Sequence, residues 1–253
     1  MSDDSLVPPD DLLFDGTTSR EEFIQGGPGF LWNCLVARAW LQPHHAVLDM
    51  GSGNGKHARL LAQYLKPPEG RYVGFDIVRK GIEWCQRAYA PYPNFRFDFV
   101  DLRSDWYNPG ARAVAEDHVF PYADASFDVA FAASLFTHLE PHAARNYIRN
   151  AERVLKPGGR LLLTCFMVNE HNGGRHAVDV QGRRFMRASS VHHVVDHRKP
   201  SRGVAYDENA LRAMICDAGL VAAELTFGTW SNGVDVLAAL QDSIVAVKRP
   251  VTA

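Results

Sequence analysis

The chain has no C-x-x-C pair. Its four cysteines, Cys34, Cys85, Cys165 and Cys216, lie far apart in 253 residues. That spacing excludes a zinc knuckle and a disulfide framework, and it predicts buried, reduced thiols. A run of lysine and arginine is also missing: 27 basic residues face 29 acidic ones, and the formal net charge is −2. Binding to a polyanion rests on clustered cations, so this balance argues against a nucleic-acid partner. No apolar run approaches a membrane span, and Met1-Ser-Asp-Asp-Ser is acidic where a secretory leader would be basic. A cytoplasmic protein with no membrane partner is expected.

What the chain does have is apolar material for one large core, with 46% hydrophobic residues. It also has a glycine turn. In Val47-Leu-Asp-Met-Gly-Ser-Gly-Asn-Gly-Lys56 an apolar strand runs into three glycines, Gly51, Gly53 and Gly55, ahead of a helical pattern at Ala58, Leu61, Ala62 and Leu65. Glycines at that spacing let the backbone adopt positive φ and let a ligand lie against bare main chain at a helix N-terminus. The dinucleotide fingerprint G-x-G-x-x-G puts its third glycine one residue later. Asp49 at the strand end would repel a pyrophosphate and suits a ligand that carries a positive group.

S-adenosylmethionine (SAM) carries such a group, the ammonium of its methionine part, and has no phosphate. With Asp49, Gly51, Gly53 and Gly55 the chain resembles the class I SAM-dependent methyltransferases. Four later segments extend the resemblance: Arg71-Tyr-Val-Gly-Phe-Asp76; Phe95 to Val100 followed by Asp101-Leu102; Phe120-Pro-Tyr-Ala-Asp-Ala-Ser-Phe-Asp128 leading into Val129 to Ala133; and Glu152-Arg-Val-Leu-Lys-Pro-Gly-Gly-Arg160 leading into Leu161 to Phe166. The resemblance implies an α/β, Rossmann-like sheet, mostly parallel and seven-stranded, with an antiparallel C-terminal hairpin and helices on both faces. It implies that Asp49, Gly51, Ser52, Gly53 and Gly55 hold the methionine end of SAM. Asp76 and Ile77 would lie at the ribose, Asp101 and Leu102 at the adenine, and the Ala133 backbone carbonyl at the amino group.

The pattern of elements agrees with such a sheet. Strands are predicted at Ala46 to Asp49, Tyr72 to Asp76, Phe95 to Val100, Val129 to Ala132 and Leu161 to Phe166. Helices are predicted at His57 to Leu65, Lys80 to Tyr89 and Ala143 to Leu155. This β/α alternation means a parallel sheet, with ligands at the carboxyl ends of its strands. Residues 1–45 read as a helical cap, with helices at Arg20 to Ile24 and Phe30 to Leu41 around Gly26-Gly-Pro-Gly29. Residues 46–248 read as the main domain. Within it, Met167 to Tyr206 is polar, rich in His, Arg and Gly, and too long for a plain connection, which predicts an acceptor-binding lid. A helix at Asp207 to Ala218 and strands at Val221 to Phe227 and Ser243 to Val247 follow.

Methyl transfer needs alignment of the nucleophile, and an alcohol nucleophile also needs a base. His138, in Ala133-Ser-Leu-Phe-Thr-His-Leu-Glu140, lies where the family's loop passes the cofactor methyl and is the candidate base; Glu140 and His142 are its neighbours. His193 and His197 would share a face if helical, and with His171 and His176 they raise a metal centre as an option. No ligand is assigned to magnesium or any other ion. Trp106-Tyr-Asn-Pro-Gly110 places aromatics beside turn residues, suited to stacking on an acceptor ring. This phrase, with Phe75 to Val78 and Trp84-Cys85, resembles a subgroup associated with sugar and polysaccharide modification. The expected activity is SAM-dependent O-methylation of a saccharide or glycosylated small molecule. Alternatives are N- or C-methylation of a small molecule, or SAM binding without turnover; a homodimer is left open.

Overall fold

A computed structural model describes residues 4–14, 17, 19–26, 31–169, 172, 182–231 and 241–250. Its main sheet has seven strands: β1 (Ala46–Met50), β2 (Arg71–Asp76), β3 (Phe95–Phe99), β4 (Phe127–Ala132), β5 (Leu155–Cys165), β10 (Leu220–Thr226) and β11 (Asp242–Lys248). They are hydrogen-bonded in the order β10-β11-β5-β4-β1-β2-β3. β1 pairs in parallel with β2 and β4, and β2 with β3. β11 runs antiparallel to both β5 and β10, as the sequence predicts for the C-terminal hairpin. The described α-helices are α1 (Arg20–Gly26), α2 (Lys56–Tyr64), α3 (Arg79–Ala88), α4 (Pro141–Val154) and α5 (Glu208–Asp217).

The chain divides into two compact units: Met1–Val100 with Phe127–Phe131, and Asp101–Ser126 with Ala132–Ala253. In the first, β1 is buried at all five residues, the pattern of a central parallel strand covered on both faces. α2 buries Ala58, Arg59 and Leu61, and α3 buries Gly81, Ile82 and Cys85, each one face of a helical period. Under α3 lies an aromatic cluster. Tyr72 stacks on Phe95 with centroids 5.0 Å apart, and Tyr89 stacks on Phe95 at 5.7 Å and tilts against Phe97 at 4.9 Å. The expected helix from Phe30 to Leu41 is instead a π-helix at Trp32–Val36, and the chain turns away at Ala39 with φ 56°. Its buried Leu31 and Leu35 span barely one turn, too little to carry a full helix. Of Gly26-Gly-Pro-Gly29, residues 27–29 lie outside the described residues.

In the second unit, α4 starts with Pro141 at its first turn, where the missing N–H costs nothing. Asn150 on α4 accepts from the Phe120 N–H at 2.9 Å, and its amide donates to His118 O at 3.1 Å. Arg153 donates to Phe120 O at 2.8 Å, Tyr122 O at 2.9 Å and Asp124 Oδ1 at 2.6 Å. One helix thus holds the Phe120 to Asp124 phrase by its main chain.

The predicted lid is a second, smaller sheet, β6 (Met167–Val168), β9 (Val204–Asp207), β8 (His192–Val194) and β7 (Met186–Arg187), paired in the order β6-β9-β8-β7. Val204, Ala205 and Tyr206 are fully buried, so this strand is core. His193 lies on β8 and His197 in the turn beyond it, so the pair shares no helical face. A strand alternates its side chains, and β8 accordingly buries His192 and Val194 while His193 is half-buried. His171 and His176 lie outside the described residues. All four cysteines are free, but Cys216 is exposed and Cys34 half-buried, against the expectation of four buried thiols. α5 buries Leu211, Met214 and Ile215, and the next residue points the other way.

Arg153→Ala should lower stability by about 2 kcal/mol or more, because it strips a cation from two carbonyls. Asp124→Ala, whose carboxylate is 76% exposed, should cost no more than about 0.5 kcal/mol. Urea midpoints of the two variants check this, and equal losses would show that the clamp works through its ion pair.

Candidate functional site

The glycine turn follows β1. Gly51, Gly53 and Gly55 have φ of 79°, 56° and 84°, the left-handed region that a Cβ disfavours. The turn is packed from below. The Tyr89 hydroxyl donates to Gly55 O at 3.0 Å, and a Cβ on Gly55 would sit 3.1 Å from Cys85 Sγ. A Cβ on Gly81 of α3 would stand 2.9 Å from Gly53 O. Asp76, at the end of β2, accepts from the Gly53 N–H at 2.8 Å through Oδ2 and from the Val78 N–H at 2.7 Å through Oδ1. The structure therefore brings Asp76 to the turn, and half-buried Ile77 lies in sequence between Asp76 and its Val78 donor.

Asp49 is fully buried in β1, and its Oδ2 accepts from the Tyr72 hydroxyl at 2.7 Å. Burial pushes its carboxyl up to about 8; the Tyr72 bond opposes that shift, and the charge of Asp76 adds to it. Asp49 Oδ1, Ser52 Oγ and Asn54 Oδ1 are buried with no hydrogen-bond partner among the described residues. Buried polar atoms of this kind cost free energy until a ligand or water meets them. Three of them around a turn of bare main chain, one on a carboxyl that a cation would ionise, fit the positive methionine end of SAM.

In the second unit, the segment after β4 carries half-buried Ala133, then Ser134 at φ 62°. Ser134 is held by neighbours that sequence reading missed. Its N–H donates to Thr164 Oγ1 at 2.7 Å, and Thr164 Oγ1 donates to Gln241 Oε1 at 2.6 Å. A 3-10 turn, Phe136–His138, follows. His138 Nδ1 lies 2.8 Å from Ser201 O, and its Nε2 lies 3.4 Å from the Tyr107 hydroxyl. A carbonyl can only accept, so Nδ1 carries the proton and Nε2 presents a lone pair. Burial lowers the His138 pKa; the Ser201 bond opposes that shift, and Arg183 assists it. Burial chiefly raises the Glu140 carboxyl, with Asp105 and Glu116 adding to the shift, and His142 is exposed.

Asp101 is exposed and its Oδ1 accepts from Asn108 Nδ2 at 3.0 Å, while the buried Leu102 accepts from the same amide at 3.1 Å through its carbonyl. Asn108 closes this loop, and only the turn-like phrase Asn-Pro-Gly could have signalled it. Among the described residues, no group of three or more His, Cys, Asp or Glu is placed to hold a metal ion. No described helix is long and apolar enough to cross a membrane.

Residues 48–163 match the methyltransferase domain family. The chain is 32% identical over 134 residues to the 27-O-demethylrifamycin SV methyltransferase of Amycolatopsis mediterranei, covering 52% of this chain and 42% of that protein. It is 27% identical over 133 residues to the probable thiol methyltransferase 2 of Arabidopsis thaliana, covering 52% and 51%. The chain thus spans about half, or less, of the length of these curated relatives. A solved SAM-dependent methyltransferase from Methanosarcina mazei superposes with a TM-score of 0.52 at 22% identity, over 85% of this chain and 97% of that one, a likeness of fold. The glycine turn, the acid at the end of β2 and the strands β1 to β5 lie inside or flank residues 48–163, the segment that is similar to the methyltransferase domain family.

Proposed function

We propose that the protein is an O-methyltransferase that acts on a hydroxyl of a small molecule, a saccharide or glycosylated compound, with His138 as general base. One observation carries this reading: His138 Nδ1 meets Ser201 O, which can only accept, so the proton of a neutral His138 is committed there and its Nε2 lone pair is left to accept another, while burial lowers its pKa. Amines and thiols need no such base, since an amine is nucleophilic when neutral and a thiol ionises near pH 8.5. An alcohol does. SAM, when bound, supplies a methyl carbon whose bond to sulfur breaks as the acceptor oxygen bonds to it. The turn from Asp49 to Gly55 holds the methionine end, and Asp76 and Ile77 hold the ribose. His138 takes the hydroxyl proton on Nε2. At 3.4 Å the Tyr107 hydroxyl is too distant to hold that lone pair strongly, so an acceptor hydroxyl can displace it. The oxygen acceptor implied by the name of the Amycolatopsis relative supports this chemistry, and the Arabidopsis relative makes a thiol the second acceptor to test.

His138→Gln should lower kcat by about 10²-fold or more, within the usual range for a lost general base, with SAM affinity unchanged. Incubation with mono- and disaccharides, phenols, thiols and amines, followed by S-adenosylhomocysteine release, reads this out. Near-normal turnover in the variant removes His138 as the base. Because the His138 pKa is lowered, the base stays neutral below the ordinary 6.5. The kcat/KM profile should therefore stay flat through pH 6.5 and fall only in more acid solution; a limb above 6.5 would contradict it.

Asp49 gives a second test. Between the ordinary carboxyl value near 4 and about 8, the unfolded chain has released this proton while the folded chain keeps it. Stability of the ligand-free protein therefore falls as pH rises through that window. Asp49→Asn should remove that slope, raise the ligand-free Tm at pH 8 and weaken SAM binding. In the parent, SAM affinity should climb with pH towards 8 as the carboxyl ionises. Calorimetry that shows the same pH profile for parent and variant would place Asp49 away from the positive end of the cofactor.

A further inference from the structure

Residues 182–202 carry Arg183, Arg184, Arg187, Arg198, Lys199 and Arg202 against a single acid, Asp196, in a chain of net charge −2. Two of these cations meet one aromatic ring. Arg202 Cζ lies 5.0 Å and Lys199 Nζ 5.8 Å from the ring centroid of Trp106, a residue that is 44% exposed. Both distances are within the range of cation–π attraction. The Arg202 guanidinium is poorly satisfied. Its Nε is buried with no hydrogen-bond partner among the described residues, and Asp196 Oδ2 stands 3.9 Å from Nη1, beyond hydrogen-bond reach.

The same short segment touches the candidate base. Ser201, between these cations, accepts from His138 Nδ1 through its carbonyl, and its hydroxyl donates to Asp105. Ser104 Oγ lies 3.0 Å from Ser201 Oγ and accepts from the Trp106 and Tyr107 N–H groups at 3.3 and 3.1 Å. Trp106 and Tyr107 are thus fixed by one hydroxyl, and each faces a partner on or beside the segment from Lys199 to Arg202. Two acids touch this segment among the described residues: Asp105 is engaged by Ser201, and Asp196 caps the Arg198 N–H at 2.9 Å. What remains open is a planar donor fork, a lysine and an exposed aromatic face. A guanidinium fork matches a carboxylate or phosphate, and such charge-assisted bonds are about twice as strong as neutral ones.

We propose that Trp106, Lys199 and Arg202 form an acceptor subsite for an anionic group, a carboxylate or phosphate borne by the molecule whose hydroxyl meets His138. The assignment rests on the reading of His138 as the base for a hydroxyl acceptor. It narrows the acceptor class to acidic sugars and other charged hydroxyl compounds. The ring of Trp106 supplies the apolar face, and the two cations supply the charge recognition.

The test is a fluorescence titration of the full chain, with S-adenosylhomocysteine present, using glucuronate, glucose 6-phosphate and glucose. At least one of the two anions should bind at least about tenfold more tightly than glucose. The signal should vanish in Trp106→Phe, and the preference should fall in Arg202→Gln and with rising salt. Tighter binding of glucuronate than of glucose 6-phosphate assigns a carboxylate, and the reverse order assigns a phosphate. Equal binding of charged and neutral sugars, an unchanged preference in Arg202→Gln, or no Trp106-dependent signal with either anion overturns the subsite. Turnover of neutral hydroxyl acceptors that is lost in His138→Gln and intact in Arg202→Gln would then leave the base standing alone. Anion binding that persists while His138→Gln keeps full turnover would retain the cationic site and remove the base.

Discussion

A carboxyl buried in the middle of a parallel sheet has to be neutralised, paired or bound, and the first unit of this protein is arranged around that requirement at Asp49. Tyr72 gives the carboxyl one hydrogen bond. The space for that hydroxyl comes from Gly74, where a Cβ would stand 2.6 Å from it. Tyr72 is in turn stacked on Phe95, which stacks on Tyr89, whose hydroxyl holds the Gly55 carbonyl. Strand, aromatic cluster and glycine turn are therefore one connected structure. The second oxygen of Asp49 has no partner among the described residues, which is a cost to the ligand-free fold.

The second unit treats its histidine in the opposite way. Asp49 is half-satisfied among the described residues, whereas His138 has its proton position set in advance by Ser201 O. A histidine free to choose its tautomer would present a donor or an acceptor at Nε2; the carbonyl leaves only the acceptor. The residue that supplies this carbonyl belongs to the stretch that carries the small sheet. The stretch that carries that sheet therefore supports His138.

The glycine turn, the acids at the ends of β1 and β2, and the alternation of strand and helix were legible because each is a local pattern of few residues. The small sheet was not. β6 and β7 have two residues each and show no period, and β9 is recognised as core only by its burial. The spacing of His193 and His197 suited a helix, but the strand pairing of β8 with β9 set their geometry. The position of His138 after β4 could be read from its surroundings in sequence. Its partner could not, because Ser201 is 63 residues away. Cys216 was misread because a thiol is usually buried, while the helix it sits on had already used its apolar face.

Ser134 has a left-handed backbone without being glycine, and its turn is tied to Thr164 and Gln241. Gln241 immediately precedes β11, the strand that inserts antiparallel between β5 and β10. The bend after β4 is thus closed by a residue 107 positions further along the chain. On a ribosome this bend cannot close until residue 241 has emerged, 107 positions after Ser134, so the loop that leads to His138 takes its final form only after β5 and the small sheet have been made.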